Sequence, residues 1–271
     1  MTRSPRRTPP VTAFAALHHA DEPLLLPNAW DYASAQALAG QGFRAVATTS
    51  LGVAAVAGLP DAAAATREET LRLAFALGAR PLLLSVDAEG GFDDDPDEVA
   101  EFARELYAVG VAGINLEDGL APAERLAGKI AAVKKAVPVL FVNARTDTHW
   151  LGDGDTADTL SRLDAYQAAG ADGVFVPGLT DPRRISALVR HLDAPLNVLY
   201  SPAGPPVREL ADAGARRISL GSLLYRRALG AALRAAADIR SGRTPAGPTP
   251  SYEDVTDLLP RGHGAASAPR A

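Results

Sequence analysis

Three observations predict a single (β/α)8 barrel. Eight short apolar runs alternate with alanine-rich stretches of helical length. Proline and glycine punctuate them in strict alternation, and polar residues collect at the ends of the runs. The runs are LLLP (24 to 27), AVATTS (45 to 50), LLLSVD (82 to 87), GINLED (113 to 118), VLFVNAR (139 to 145), GVFVPG (173 to 178), LNVLYS (196 to 201) and ISLGS (218 to 222). Their near-continuous apolar character suits strands buried on both faces, as in a parallel sheet covered by helices.

The odd runs follow Pro23, Pro81, Pro138 and Pro195, and the even runs follow Gly42, Gly110, Gly170 and Gly214. Proline at the start of a strand removes no ladder bond, and glycine after a helix supplies a left-handed stop. Successive prolines are 58, 57 and 57 residues apart, so a period of two βα units repeated four times gives eight strands. The intervening helices have starts and stops of their own. Asp95-Pro96 places a capping side chain before an N1 proline; Val99, Phe102, Ala103 and Leu106 then mark one apolar face before Gly110. Likewise Leu160, Leu163, Ala165 and Tyr166 precede Gly170. The expected organisation is a flexible N-terminal segment over 1–20, a barrel over 21–241, and a Pro/Gly/Ala-rich tail over 242–271 with a short helix near 252–259.

Composition narrows the function. Of 271 residues, 47% are hydrophobic and 22% charged, which allows a large core. A formal net charge of -5 creates no field that would attract nucleic acid or an anionic membrane, so a small molecule is the expected partner. The absence of cysteine excludes thiolate metal sites, iron-sulfur clusters and thiol nucleophiles, and any metal must take oxygen or imidazole ligands. No run approaches the ~20 apolar residues of a membrane span, and the positively charged start MTRSPRRTPP leads into no apolar region, which suggests a cytoplasmic protein. Only three lysines occur, Lys129, Lys134 and Lys135, all in one helical stretch, which argues against Schiff-base chemistry.

In a parallel barrel the carboxyl ends of the strands converge on one mouth, where active sites lie. Here those ends carry Asn28 and Asp31, Thr49 and Ser50, Asp87 and Glu89, Glu117 and Asp118, then Asn143, Arg145, Asp147 and His149, then Asn197, Tyr200 and Ser201, and last Ser219 and Ser222. Three or four carboxylates meeting at one mouth repel unless protons or a cation neutralise them, and Mg2+ or Mn2+ is the simplest cation for oxygen ligands. The competing reading is that some of them, Asp118 above all, pair with arginines or cap helices. Arg145 suits either a substrate carboxylate or a neighbouring acidic side chain. His149 beside Trp150 fits proton transfer or loop packing equally and is left unassigned.

At these residues the chain resembles the isocitrate lyase and phosphoenolpyruvate mutase superfamily, in particular its phosphonomutase-like branch. The resemblance runs from about Leu24 to Leu259 and is carried by LPNAWD (26 to 31), TTS (48 to 50), GLPD (58 to 61), SVDAEGGF (85 to 92), GINLEDG (113 to 119), NARTD (143 to 147), GVFVPGL (173 to 179) and RISLGS (217 to 222). It implies a Mg2+ site at Asp87 and Glu89, in place of the family's Asp-x-Asp, with Glu117 supporting the ion through water. It also implies that Ser50 and the backbone at Leu51 and Gly52 bind a substrate carboxylate, that Asp61 lies near the metal or reacting group, and that Arg145 binds the substrate's other end. Asn197 and Asp87 join the expected substrate contacts. The family's barrels are dimers or tetramers that exchange a carboxyl-terminal helix, so a homodimer or homotetramer is expected.

The chain departs from the family after the fourth run. The lyases' Lys-Lys-Cys-Gly-His loop is replaced by GLAPAERLAGK, without Cys or His, and the mutases' lysine and asparagine are not evident in residues 119 to 128. The expected function is therefore a Mg2+-dependent enzyme acting on a small 2-oxo or 2-hydroxy carboxylate through a metal-stabilised enolate, with carbon-carbon cleavage as the reaction. Phosphonomutase chemistry, hydrolysis of an oxaloacetate-like acid, and a non-catalytic ligand-binding barrel are the alternatives.

Overall fold

A computed structural model describes residues 12–78 and 80–260. Nine parallel β segments lie in the order β1-β9-β8-β7-β6-β5-β4-β3-β2 and form a barrel with helices between them. They are β1 (Leu24–Leu26), β2 (Asn28–Ala29), β3 (Ala45–Thr48), β4 (Leu83–Asp87), β5 (Gly113–Glu117), β6 (Phe141–Arg145), β7 (Gly173–Val176), β8 (Leu196–Leu199) and β9 (Arg217–Ser219). The first two are halves of one barrel strand interrupted at Pro27, which has no N–H to give the ladder. Leu24 pairs with Arg217 on one side, and Asn28 pairs with Ala47 on the other. Every run read from the sequence is a strand, and the eight-stranded barrel is the observed fold.

Around the strands run α2 (Tyr32–Gly40), α3 (Ser50–Ala57), α4 (Arg67–Gly78), α5 (Pro96–Ala108), α6 (Ala123–Ala136), α7 (Thr156–Ala169), α8 (Pro182–His191), α9 (Val207–Asp212), α10 (Leu223–Arg240) and α11 (Tyr252–Asp257), after an initial α1 (Ala13–Leu17). The helix α5 shows how the core is made. Asp95 caps it by accepting from Asp97 N–H, Pro96 opens it, and Val99, Phe102, Ala103 and Leu106 are all buried against the strands.

One stretch differs from expectation, and one agrees with it. Within the 1–20 segment, residues 1–11 lie outside the described residues, but 13–17 form α1, capped by Thr12, with Phe14, Ala15 and Leu17 buried. Phe14 meets Phe141 edge to face at 5.5 Å, and His18 stacks on Phe141 at 4.1 Å. Gly113 leaves the space for Phe14, since a Cβ there would stand 2.6 Å from its ring. This short helix is thus part of the core at the strands' amino ends. In the tail, α11 has a capping box between Ser251 and Asp254, and residues 261–271 lie outside the described residues. The helix α10 spans 18 residues yet buries none of them.

Candidate active site at the carboxyl end of the barrel

The register of the parallel strands decides which polar ends meet. Asp87 stands beside Asn115, and Glu117 stands beside Arg145. Arg145 Nη1 lies 2.7 Å from Glu117 Oε2, while its Nε and Nη2 both reach Asp147 Oδ1 at 2.7 Å. The guanidinium also lies 5.8 Å from the centre of the Phe175 ring. Burial alone would lower its pKa, but Glu117 and Asp147 outweigh that and hold it charged.

One cation is too few for the acids around it. Burial, together with Asp87, Asp147 and Glu89, pushes Glu117 up to about 8 despite its pairing with Arg145. Burial likewise raises Asp147 and Glu89, with Asp87 and Asp61 adding to the latter. Several carboxylates are thus held close together in a poorly solvated place, a state that a divalent cation relieves.

Asp87 is placed by two contacts from the β3 end. Its N–H donates to Thr48 Oγ1 at 2.9 Å, and its Oδ2 accepts from Ser50 N–H at 3.1 Å. Ser50 opens α3, whose first intrahelical bond runs from Val53 N–H to Thr49 O, so the N–H groups of Leu51 and Gly52 are not used by the helix. Such a helix start favours an anion. Gly52 permits this arrangement because a Cβ there would fall 2.6 Å from Trp30 Cβ.

Glu89 is placed differently. Its backbone is left-handed, with φ 47°, and its carboxylate accepts from Thr66 Oγ1 at 2.7 Å and Ala64 N–H at 3.0 Å. Ala62, Ala64, Phe92 and Leu120 also carry positive φ, so all the left-handed non-glycine residues among those described lie in three loops, between α3 and α4, after β4 and after β5. Backbone strain of about 1–3 kcal/mol per residue concentrates where a site needs it. These loops and α6 border an open cleft of about 560 Å3 lined by Ala64, Glu89, Phe92, Glu117, Arg125 and Lys129 among others, with Asp87 and Arg145 outside its lining. Asp61 sits on the exposed turn beside it, close enough to act on Glu89.

The remaining expected residues fall elsewhere. Asp118, whose side chain is wholly buried, accepts from Tyr166 Oη at 2.7 Å, Arg162 Nη1 at 3.1 Å, Leu120 N–H at 3.0 Å and Asp147 N–H at 3.1 Å. That is the scaffold role the sequence left open for it. Asn197 is buried inside the barrel on β8, and neither of its amide atoms has a partner among the described residues. His149 is half-buried in the loop after β6; burial and then Arg184 lower its pKa. Sequence reasoning missed Thr48 and Thr66, which position Asp87 and Glu89. It also missed Arg217, a fully buried guanidinium on β9. A charged residue heading an apolar run was the signal for the last; nothing marked Thr66.

The donor set fits a hard cation in part. Asp87 Oδ1 and Glu117 Oε1 accept no hydrogen bond from the described residues, while both Glu89 oxygens are committed. Among the described residues no three Asp, Glu or His side chains form a closed ligand cluster. Asp87, Glu89 and Glu117 share one mouth, but the arrangement suits Asp87 and Glu117 as holders with water completing the shell and Glu89 behind them.

An under-neutralised acidic mouth, an open helix start and a clamped arginine at the carboxyl ends of the strands place the chain in the class of (β/α)8 barrels that gather their polar groups at that face. The chain belongs to the phosphoenolpyruvate mutase family, within the isocitrate lyase and phosphoenolpyruvate mutase superfamily: the model described as phosphoenolpyruvate phosphomutase matches residues 14–240. An uncharacterised Mycobacterium tuberculosis protein is 43% identical over 237 residues, covering 85% of this chain and 90% of that one. The 2-methylisocitrate lyase of Bacillus subtilis is 32% identical over 68% of this chain and 64% of its own length, and the oxaloacetate decarboxylase of Pseudomonas aeruginosa is 30% identical over 73% and 74%. Among solved structures, a Burkholderia cenocepacia protein provisionally named a lyase/mutase superposes with a TM-score of 0.80 at 37% identity, covering 90% of this chain and 93% of that one. The characterised relatives are thus enzymes. Among the described residues no helix is long and apolar enough to cross a membrane.

Proposed function

We propose that this chain is a Mg2+-dependent enzyme that cleaves a carbon-carbon bond in a small 2-oxo or 2-hydroxy carboxylate through an enolate. The observation that carries the reading is the pair of uncommitted carboxylate oxygens on Asp87 and Glu117, held beside Arg145 and the start of α3. Mg2+ held by Asp87 and Glu117 would supply positive charge to the substrate's carboxylate and 2-oxygen. The Ser50 hydroxyl and the N–H groups of Leu51 and Gly52 bind that carboxylate, as an open helix start does. Arg145 orients the far end of the substrate; because Glu117 and Asp147 already fix its plane, little entropy is lost when it binds. Asp61 on the exposed turn and Asn197 inside the barrel are the remaining proposed contacts.

Carbon-carbon cleavage is preferred because the 2-methylisocitrate lyase and the oxaloacetate decarboxylase among the relatives both break such bonds. Phosphonomutase chemistry is the second reading, favoured by a Burkholderia cenocepacia structure provisionally named a phosphonomutase at 36% identity. The test is a product-detected NMR screen of 2-oxo and 2-hydroxy dicarboxylates and of phosphonopyruvate, with and without Mg2+. Mg2+-dependent cleavage of a dicarboxylate is expected. Turnover of phosphonopyruvate alone would select the second reading, and Mg2+-independent turnover would overturn the metal's role.

The same reading proposes a cytoplasmic homodimer or homotetramer joined through α10. Leu229 and Leu233, one helical turn apart on α10, are 49% and 64% exposed, an apolar stripe that one protomer leaves uncovered. Light scattering should give an oligomer at micromolar concentration, reduced by Leu233→Glu; a wild-type monomer would contradict this.

A further inference from the structure

Beneath the mouth, the interior of the barrel holds a layer of polar side chains, of which the proposed reaction uses only Asn197. Ser85 on β4, Asn115 on β5, Asn143 on β6, Asn197 on β8 and Arg217 on β9 are all buried. The register sets Asp87 beside Asn115, Asn115 beside Asn143, and Asn197 beside Arg217. Asn143 Nδ2 and Arg217 Nη2 both donate to Asn115 Oδ1, at 2.9 and 3.1 Å. Arg217 Nε and Nη1, both amide atoms of Asn197, Asn143 Oδ1 and Ser85 Oγ have no partner among the described residues. Gly173 keeps the layer open, since a Cβ there would stand 3.0 Å from Asn143 Oδ1.

A buried guanidinium with most of its donors idle is costly, and packing alone would be served better by a neutral side chain. Burial pulls Arg217 down to about 9, with Asp87 acting in the opposite sense, so it remains charged at neutral pH and lies within the field of the mouth. The charges of the mouth explain why a cation is kept there. Among the described residues Arg145 is the rim cation that acts on Glu117, Asp147 and Asp87, and Glu89 adds a fourth negative charge beside Glu117. Once a divalent ion has displaced the proton from Glu117 and all four carboxylates are ionised, two guanidinium groups and that ion bring the four charges to neutrality; without Arg217 the loaded site stays negative and repels an anionic substrate.

We propose that Arg217 is a positioning residue: the buried counter-cation that, through the Asn115–Asn143–Asn197 layer, sets the charge balance of the mouth and so permits an anionic substrate to bind beside the metal. The inference rests on the metal-dependent reading above. It predicts effects of opposite sign on cations and anions, which a merely structural role cannot produce. In Arg217→Met, calorimetry should show Mn2+ binding several-fold tighter, because a repelling charge is gone, and pyruvate binding at saturating Mg2+ about tenfold weaker. Arg217→Lys should restore both. Asn115→Asp, which keeps the acceptor position and neutralises Arg217 without removing it, should reproduce the same pair of shifts if the methionine variant does not fold. A parallel fall of both affinities, or no change in either, in folded Arg217→Met or Asn115→Asp would overturn the inference while leaving the metal site standing. If the wild-type chain binds no Mn2+, the metal-dependent reading fails, and an undiminished pyruvate affinity in the variants then overturns the role of Arg217. Binding of neither ligand by the wild type overturns both.

Discussion

Glu117 and Asp118 are neighbours at the end of β5, and the fold treats them in opposite ways. Asp118 turns toward α7 and is satisfied by Tyr166, Arg162 and two backbone N–H groups. Glu117 turns to the mouth, where burial and three other carboxylates push it up to about 8 against a single arginine. A buried carboxylate with a full set of donors ties loops together. One left short of them is available to a ligand. The acidic side chains of the barrel's upper end divide along that line, with Asp118 on the scaffold side, Asp87 and Glu117 on the site side, and Glu89, held by Thr66 and Ala64, between them.

The sharpest break would come from stability. Asp118→Ala should cost about 3–5 kcal/mol in chemical denaturation, since it leaves the buried Tyr166 hydroxyl and two backbone N–H groups without their acceptor, at about 1–3 kcal/mol each, while Arg162 keeps Asp158 and Ala121 O. Asp87→Ala should cost no more than about 1 kcal/mol, because it removes repulsion along with one hydrogen bond. Equal losses would erase the distinction between the two regions. Next in size is Arg145→Lys, which keeps the charge but not the fork across Glu117 and Asp147. Loss of one charge-assisted hydrogen bond, about 1.5–3 kcal/mol, corresponds to at least a tenfold fall in kcat/KM on the substrate found by screening. Unchanged kinetics would show that the arginine serves the scaffold alone. Gly52→Ala should cost about 1–3 kcal/mol by forcing α3 away from Trp30, with weaker anion binding measured by calorimetry.

The smallest effect is one of pH. Glu117 in the folded chain holds a proton that the unfolded chain gives up near 4.5, so the stability it contributes is full below 4.5 and is lost as pH rises through about 8. A divalent cation competes for the same site as that proton. Mg2+ should therefore raise the thermal midpoint more at about pH 8.5 than at about pH 6. An equal rise at both would remove Glu117 from the metal's neighbourhood.

How much of this was legible in the sequence follows from the range over which each feature is encoded. The strands announce themselves locally, because burial on both faces demands continuous apolar runs and their boundaries carry proline or glycine. The register then brings Glu117 to Arg145 without further information. Pro27 closed the first run in the sequence, so the continuation of that strand at Asn28–Ala29 was not read. Nor was the helix α1, because five apolar residues between a basic start and a polar turn show no period. The commitment of Glu89 to Thr66 and Ala64 depends on a loop fold with three left-handed residues nearby, which no local pattern specifies. Arg217 lay within a recognised motif, but only the closed barrel shows that a residue at the head of a strand points inward among asparagines.

The central claim is that the site side of this division holds a divalent cation. The most direct measurement is calorimetric titration of Mn2+ into the wild-type chain, Asp87→Ala and Asn197→Ala, each first shown to be folded by circular dichroism. The account predicts one site per chain in the wild type and in Asn197→Ala, and its loss in Asp87→Ala. Undiminished binding in a folded Asp87→Ala chain would contradict it.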